Sequence, residues 1–231
     1  APTLVVNDLH RDVVNLARVV AEARETLVEE LESLPFHPDT LAEAQAMCRE
    51  DPASMGRVIR AKWYFVSQWM GRSGNAGTDR EFAGNLPVRW TATGGDSNTR
   101  YRSAVASLEA WQSILVRCNF TTLDCFEFLD KVKDVAGHGV YADPPWVADG
   151  LVYRHRPNAA EEREWHTRLR DAFMRFDRCR VVVRLGVHEL VRELYPEREW
   201  DWRRTDSRTQ GNNAKAEVLL IRSGQTPEGE R

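Results

Sequence analysis

The fold class that the sequence predicts is α/β, a doubly wound sheet with a helical insertion. Short apolar strands alternate with amphipathic helices along much of the chain. A strand from Gly139 to Ala142 stops abruptly at Asp143-Pro144-Pro145-Trp146, the kind of ending that open α/β sheets use to build a site. Between the first strand and the next lies a stretch, Leu31 to about Met70, whose pattern is helical.

The elements follow in order. Leu4-Val5-Val6 is apolar and largely β-branched and ends at Asn7-Asp8, so a strand is expected there. Asn7 or Asp8 can cap the next helix, whose apolar positions Leu9, Val13, Leu16, Val19 and Val20 recur at helical spacing. Leu34 to Asp39 carries two prolines and breaks the helical run. Asp39 or Thr40 can open a helix to about Arg49, and Asp51-Pro52 a third from Ala53 to Met70. Gly71 to Asp96 is rich in Gly, Asn, Ser and Thr and reads as a long irregular loop. Asn98 to Arg117 is a helix with Tyr101, Val105, Leu108, Trp111 and Leu115 on one face. A strand ends near Leu123, and Asp124 opens a helix that is expected to reach Val135. After Trp146 the chain is polar and irregular to Asn158. Glu161 to Phe176 is a helix, Cys179 to Leu185 a strand, Val187 to Leu194 a short helix, and Glu199 to Arg204 and Ala214 to Arg222 are strands.

Composition narrows the classes. A chain of 231 residues is one domain, or one domain with a sizeable insertion. No apolar run approaches the roughly 18 to 20 residues needed to span a bilayer, and the start lacks the basic and apolar regions of a signal peptide. Cys48, Cys118, Cys125 and Cys179 are scattered, with no zinc spacing, so reduced thiols and no metal are expected. The formal net charge is -3, yet the window Arg57 to Arg102 holds eight basic residues against three acids. Trp63, Tyr64, Phe65, Trp69, Trp90 and Tyr101 are interleaved with those charges. Such a window suits phosphate contact, and a solvated helical face over a core stripe has the same composition.

The chemistry concentrates at Asp143-Pro144-Pro145-Trp146. Two prolines fix φ and make the turn stiff, holding a carboxylate, neighbouring carbonyls and an aromatic ring in fixed relation. That set can grip a planar base by its exocyclic amine and stack on its face. A tight surface turn has the same residues.

The tetrapeptide resembles the Asp/Asn/Ser-Pro-Pro-Tyr/Phe/Trp signature of amino-methyltransferases. Three further segments resemble the Dam-type class that methylates N6 of adenine in DNA: Val6-Asn7-Asp8-Leu9 running to Val13-Val14-Asn15-Leu16, Asn119 to Phe128, and the closing strand at Lys215-Ala216-Glu217-Val218-Leu219. The resemblance implies a Rossmann-like sheet of the S-adenosylmethionine-dependent type, with 1–30 and 104–231 as catalytic domain and 31–103 as a target-recognition insertion. It implies S-adenosylmethionine as cofactor, held by Asp8, Asp124, Cys125, Phe126 and Asp143. Asp143 and the Pro144 carbonyl would accept the two N–H bonds of the target amine, with Pro145 stiffening the turn and Trp146 stacking on the flipped base. Double-stranded DNA would be met by Arg72, Arg89, Asn98, Arg100, Tyr153 and Arg154. A cytoplasmic, prokaryotic or phage-encoded enzyme is the setting this implies. The class carries a Lys-x-x-Gly-Gly-Lys motif and a Phe-x-Gly-x-Gly turn ahead of the ribose-binding acid, and neither occurs in this sequence. A preceding segment or a partner chain is therefore expected to complete the cofactor site. Trp146 stands where Tyr is more usual, as it also does in RNA adenine methyltransferases. An RNA-directed enzyme and a non-catalytic nucleic-acid-binding subunit remain the alternative readings.

Overall fold

The alternation of strands and helices read from the sequence is realised in a computed structural model, which describes residues 3–71, 81–87, 96–147, 160–208 and 214–224. Its elements are β1 (Leu4–Asn7), α1 (Arg11–Glu32), α2 (Pro38–Arg49), a 3-10 turn (Pro52–Ser54), α3 (Arg57–Met70), α4 (Ser97–Leu115), β2 (Cys118–Thr121), α5 (Cys125–Lys131), β3 (Gly139–Ala142), α6 (Glu162–Met174), β4 (Arg180–Gly186), α7 (Glu189–Leu194), β5 (Asp201–Arg208) and β6 (Ala214–Arg222). The protein is mixed α/β, and it divides into two units, 1–125 and 126–231. Among the described residues no helix is long and apolar enough to cross a membrane.

The first unit is built on four helices. Val19, Val20, Leu27 and Leu31 of α1 share one apolar core with Leu41 and Ala44 of α2, Phe65, Val66 and Met70 of α3, and Tyr101, Val105 and Leu108 of α4. Fully burying side chains of this size stabilises by about 1.5–3 kcal/mol each. The expected insertion boundaries, 30/31 and 103/104, fall inside α1 and α4. The reason is physical: the apolar stripe of α1 carries on past a kink at Ala23 through Leu27 and Leu31, and α4 answers it from Tyr101 onward. The phenol of Tyr101 donates to the carbonyl of Leu31, and Arg102 donates to those of Glu32 and Leu34, so α4 satisfies the open carbonyls at the end of α1. At the far end β1 and β2 form a parallel pair, Leu4 opposite Cys118 through Asn7 opposite Thr121. Leu4, Val5 and Val6 are all exposed.

The second unit carries a four-stranded sheet in the order β3-β4-β6-β5. β3 and β4 are parallel, and β6 runs antiparallel to both β4 and β5. Val181, Val183 and Leu185 alternate along β4 as buried residues, and Val218 and Leu220 of β6 lie on the same face. Val182, Arg184, Leu219 and Glu217 lie on the other face, half-buried, with the exposed Tyr141 of β3 beside them. The helix expected to reach Val135 ends at Lys131. The Asp134 carboxylate beyond it is taken by the backbone N–H groups of Asp177, Arg178 and Cys179. Gly137 follows with φ at 82°, a conformation only glycine adopts cheaply, and turns the chain into β3.

Candidate functional site

Each unit places an acid at the carboxyl end of a parallel strand pair. In the first unit Asn7, read from the sequence as a helix cap, does something else. Its amide donates to the Leu123 carbonyl and its oxygen accepts from the Thr121 hydroxyl and the Leu123 N–H. Asn7 thereby stitches the ends of β1 and β2 together. Asp8 does not cap the helix either: its carboxylate accepts from the His10 N–H at 2.7 Å, and α1 begins behind His10 with no side-chain cap. Asp8 is half-buried and Asp124 exposed, and both leave the same end of the β1–β2 pair. Cys125 is half-buried at the start of α5. Phe126 is buried in the second unit, edge-on to Trp165 with the Arg168 guanidinium 3.8 Å over its ring.

The Asp-Pro-Pro-Trp turn leaves β3 beside the end of β4. Ala142 pairs with Val183, so Arg184 comes to lie next to Asp143. Arg184 donates to Asp143 Oδ2 at 3.0 Å and, through Nε and Nη2, to Glu217 Oε2 at 3.2 and 2.9 Å. Its charge is reinforced chiefly by the hydrogen bond to Glu217 and then by Asp143, and its pKa rises further. The indole N–H of Trp146 faces Asp143 Oδ1 at 3.4 Å. Pro144 and Pro145 are half-buried. Trp146 itself is only 8% exposed, seated on Gly186 with the Arg184 guanidinium 5.3 Å from its ring. Its ring is thus enclosed, whereas an open stacking surface was expected. The open aromatic next to Asp143 is Tyr141, 64% exposed, two residues back and so on the same side of β3. Burial and the Asp143 charge raise the pKa of its phenol.

Sequence reasoning missed Tyr141, Arg184, Gly186 and Glu217. The period-2 offset of Tyr141 from Asp143 was a usable signal. The other three reach the turn only through strand pairing.

The expected nucleic-acid window is less free than its composition suggests. Asp12 takes Arg60 through both oxygens at 2.7 Å, Glu30 takes Lys62 and Glu22 takes Arg57. Arg102 is spent on carbonyls. Trp63, Tyr64, Phe65 and Tyr101 are core residues, while Trp69 is half exposed. Asn98 and Arg100 are exposed on the first turn of α4. Arg72, Arg89, Tyr153 and Arg154 lie outside the described residues.

A buried polar cluster completes the first unit. Glu81, fully buried, meets His10 Nε2 at 2.9 Å and the Tyr64 hydroxyl at 3.0 Å. Burial pushes the His10 pKa down, but the Glu81 hydrogen bond and charge, with Asp12 and Asp8, outweigh it and leave it raised. Among the described residues no group of three or more His, Cys, Asp or Glu is placed to hold a metal ion. No family model matches the chain, and no curated protein sequence matches it.

Proposed function

We propose that the chain is an S-adenosylmethionine-dependent methyltransferase of Rossmann-like fold that acts on the exocyclic N6 of adenine in DNA. One observation carries the reading. The Asp143 carboxylate stands at the carboxyl end of a parallel strand, on a turn stiffened by two prolines, with one oxygen gripped by Arg184 and the other faced only at 3.4 Å. The lone pair of an aryl amine is delocalised into its ring. A carboxylate and the Pro144 carbonyl accepting its two N–H bonds favour a pyramidal nitrogen whose lone pair can attack. S-adenosylmethionine would supply the methyl group from its sulfonium by in-line displacement, leaving as the thioether S-adenosylhomocysteine while the amine gives one proton to solvent, so alignment would supply much of the rate. Asp8 and Asp124, at the ends of the other parallel pair, are the candidate partners of ribose and adenine in that cofactor. The target base must leave the duplex to be reached.

The test is methyl transfer from radiolabelled S-adenosylmethionine to duplex DNA. Asp143→Ala removes both acceptor oxygens, and it is expected to lower transfer at least about a hundredfold, the scale for a group acting in the transition state. Undiminished transfer in Asp143→Ala would remove Asp143 from the mechanism. A non-catalytic nucleic-acid-binding chain is the second reading. The enclosed Trp146 ring favours a non-catalytic role, whereas the basic residues of α3, tied to acids of α1, speak against nucleic-acid contact through that helix.

A further inference from the structure

We propose that Arg184 is the positioning residue of Asp143, fixing Oδ2 so that Oδ1 is presented to the incoming amine. The inference rests on the amine-gripping reading of the turn and adds to it which oxygen works and what holds it.

The geometry runs from the inside out. Glu217, on β6 opposite Gly186, is the anchored end, with its side chain 12% exposed. A single oxygen of Glu217 receives both Nε and Nη2 of Arg184, which fixes the guanidinium plane. The remaining fork nitrogen, Nη1, then points along the end of β4 and meets Asp143 Oδ2 at 3.0 Å. Asp143 is the open end, its side chain 42% exposed. On its own, an aspartate on a turn can rotate about two side-chain bonds, and each rotation moves both oxygens. With Oδ2 tied down, Oδ1 has one position. The indole contact at 3.4 Å is too long to occupy Oδ1 fully, so an amine arriving from solvent can donate there without displacing Arg184. Arginine suits the task because its planar fork reaches two carboxylates at once, which lysine does only one at a time.

Binding to short single-stranded oligonucleotides, followed by fluorescence anisotropy, tests this without requiring turnover. Two oligothymidylates differ at one position, which carries adenine or the purine that has hydrogen in place of the amine. The full chain is expected to prefer adenine by about tenfold, the worth of one well-placed hydrogen bond. Arg184→Met should bring the preference to within about twofold. Glu217→Gln, which weakens the anchor, should lower the preference in the same direction, and Arg184→Lys should restore part of it. Circular dichroism establishes which variants fold; if Arg184→Met does not, Glu217→Gln and Arg184→Lys carry the comparison. A folded Arg184 or Glu217 variant with the full adenine preference overturns the positioning role. So does tighter adenine binding by Arg184→Met, since that would make Arg184 a competitor of the amine. A wild-type chain with no preference that Asp143→Ala can abolish ends the amine-gripping reading itself, and this inference with it.

Discussion

Gly186 sits where a Cβ would lie 2.8 Å from Cε3 of Trp146, closer than any ordinary contact. The indole is therefore seated on bare backbone, and its distance to Asp143 depends on that seat. Gly186→Ala is expected to cost about 1–3 kcal/mol by overpacking. In a Trp146→Ala background the same substitution should cost almost nothing, because the crowded ring is gone. Urea unfolding of the four proteins of this cycle is the measurement, and equal costs in both backgrounds would dissociate the two residues. At this scale the sequence reveals types and hides partners. Asp143 and the prolines were legible because their chemistry is local. Gly186 was not, since a glycine at a strand end has many causes and the ring above it is 40 positions away in the chain. The basic window misled for the same reason: Asp12, Glu22 and Glu30 neutralise it from a helix that lies outside it.

Among the elements, α1, α2 and α3 meet at one buried ion pair. Arg60 of α3 is bonded to both oxygens of Asp12 and also donates to the carbonyls of Met47 and Cys48 at the end of α2. One side chain thus pairs with one helix and caps another. Removing only the cation leaves Asp12 buried and unpaired, and Arg60→Met is expected to cost about 3–5 kcal/mol. Asp12→Leu combined with Arg60→Met should cost clearly less than that. A double variant as unstable as the single one would place the cost in the α2 carbonyls instead. Helix starts were legible only to within a few residues: Asp51 caps a short 3-10 turn and the helix expected from Ala53 begins at Arg57 behind Gly56, while His37, ahead of Asp39 and Thr40, caps α2. The ends at Arg49, Met70 and Leu194 were legible, and that of α5 was not. The sequence pattern favoured continuing α5 past Lys131, but the chain gives up helix there to let Asp134 bind three backbone N–H groups some 40 residues on.

Across the whole molecule the two units carry histidines that respond to acid in opposite senses. His166 of α6, 2% exposed, has its pKa pushed down to about 4 by burial and then by the charge of His188. A depressed histidine stabilises the fold above its unfolded pKa and loses that contribution as pH falls toward the folded one, about 1 kcal/mol between pH ~7.5 and ~5.5. His10 has a raised pKa, so its contribution is present below the unfolded value and is lost as pH rises through the folded value. Acidification over that range should therefore weaken the second unit and strengthen the first. Hydrogen exchange read separately in α6 and in α1 measures this, and parallel responses would refute it. The order of strands and helices was legible because period and turn residues write it locally. The sheet order was not, because nothing local tells β6 to run between β4 and β5. The β1–β2 ribbon has one more consequence. Three consecutive exposed apolar residues, Leu4, Val5 and Val6, on a strand paired on one side only among the described residues, form a template for growth. Concentrated protein is expected to nucleate fibrillar assemblies from this edge, seen as a concentration-dependent lag in thioflavin fluorescence. A lysine at Val5 should lengthen that lag, and a lag indifferent to the charge would move the nucleus to another strand.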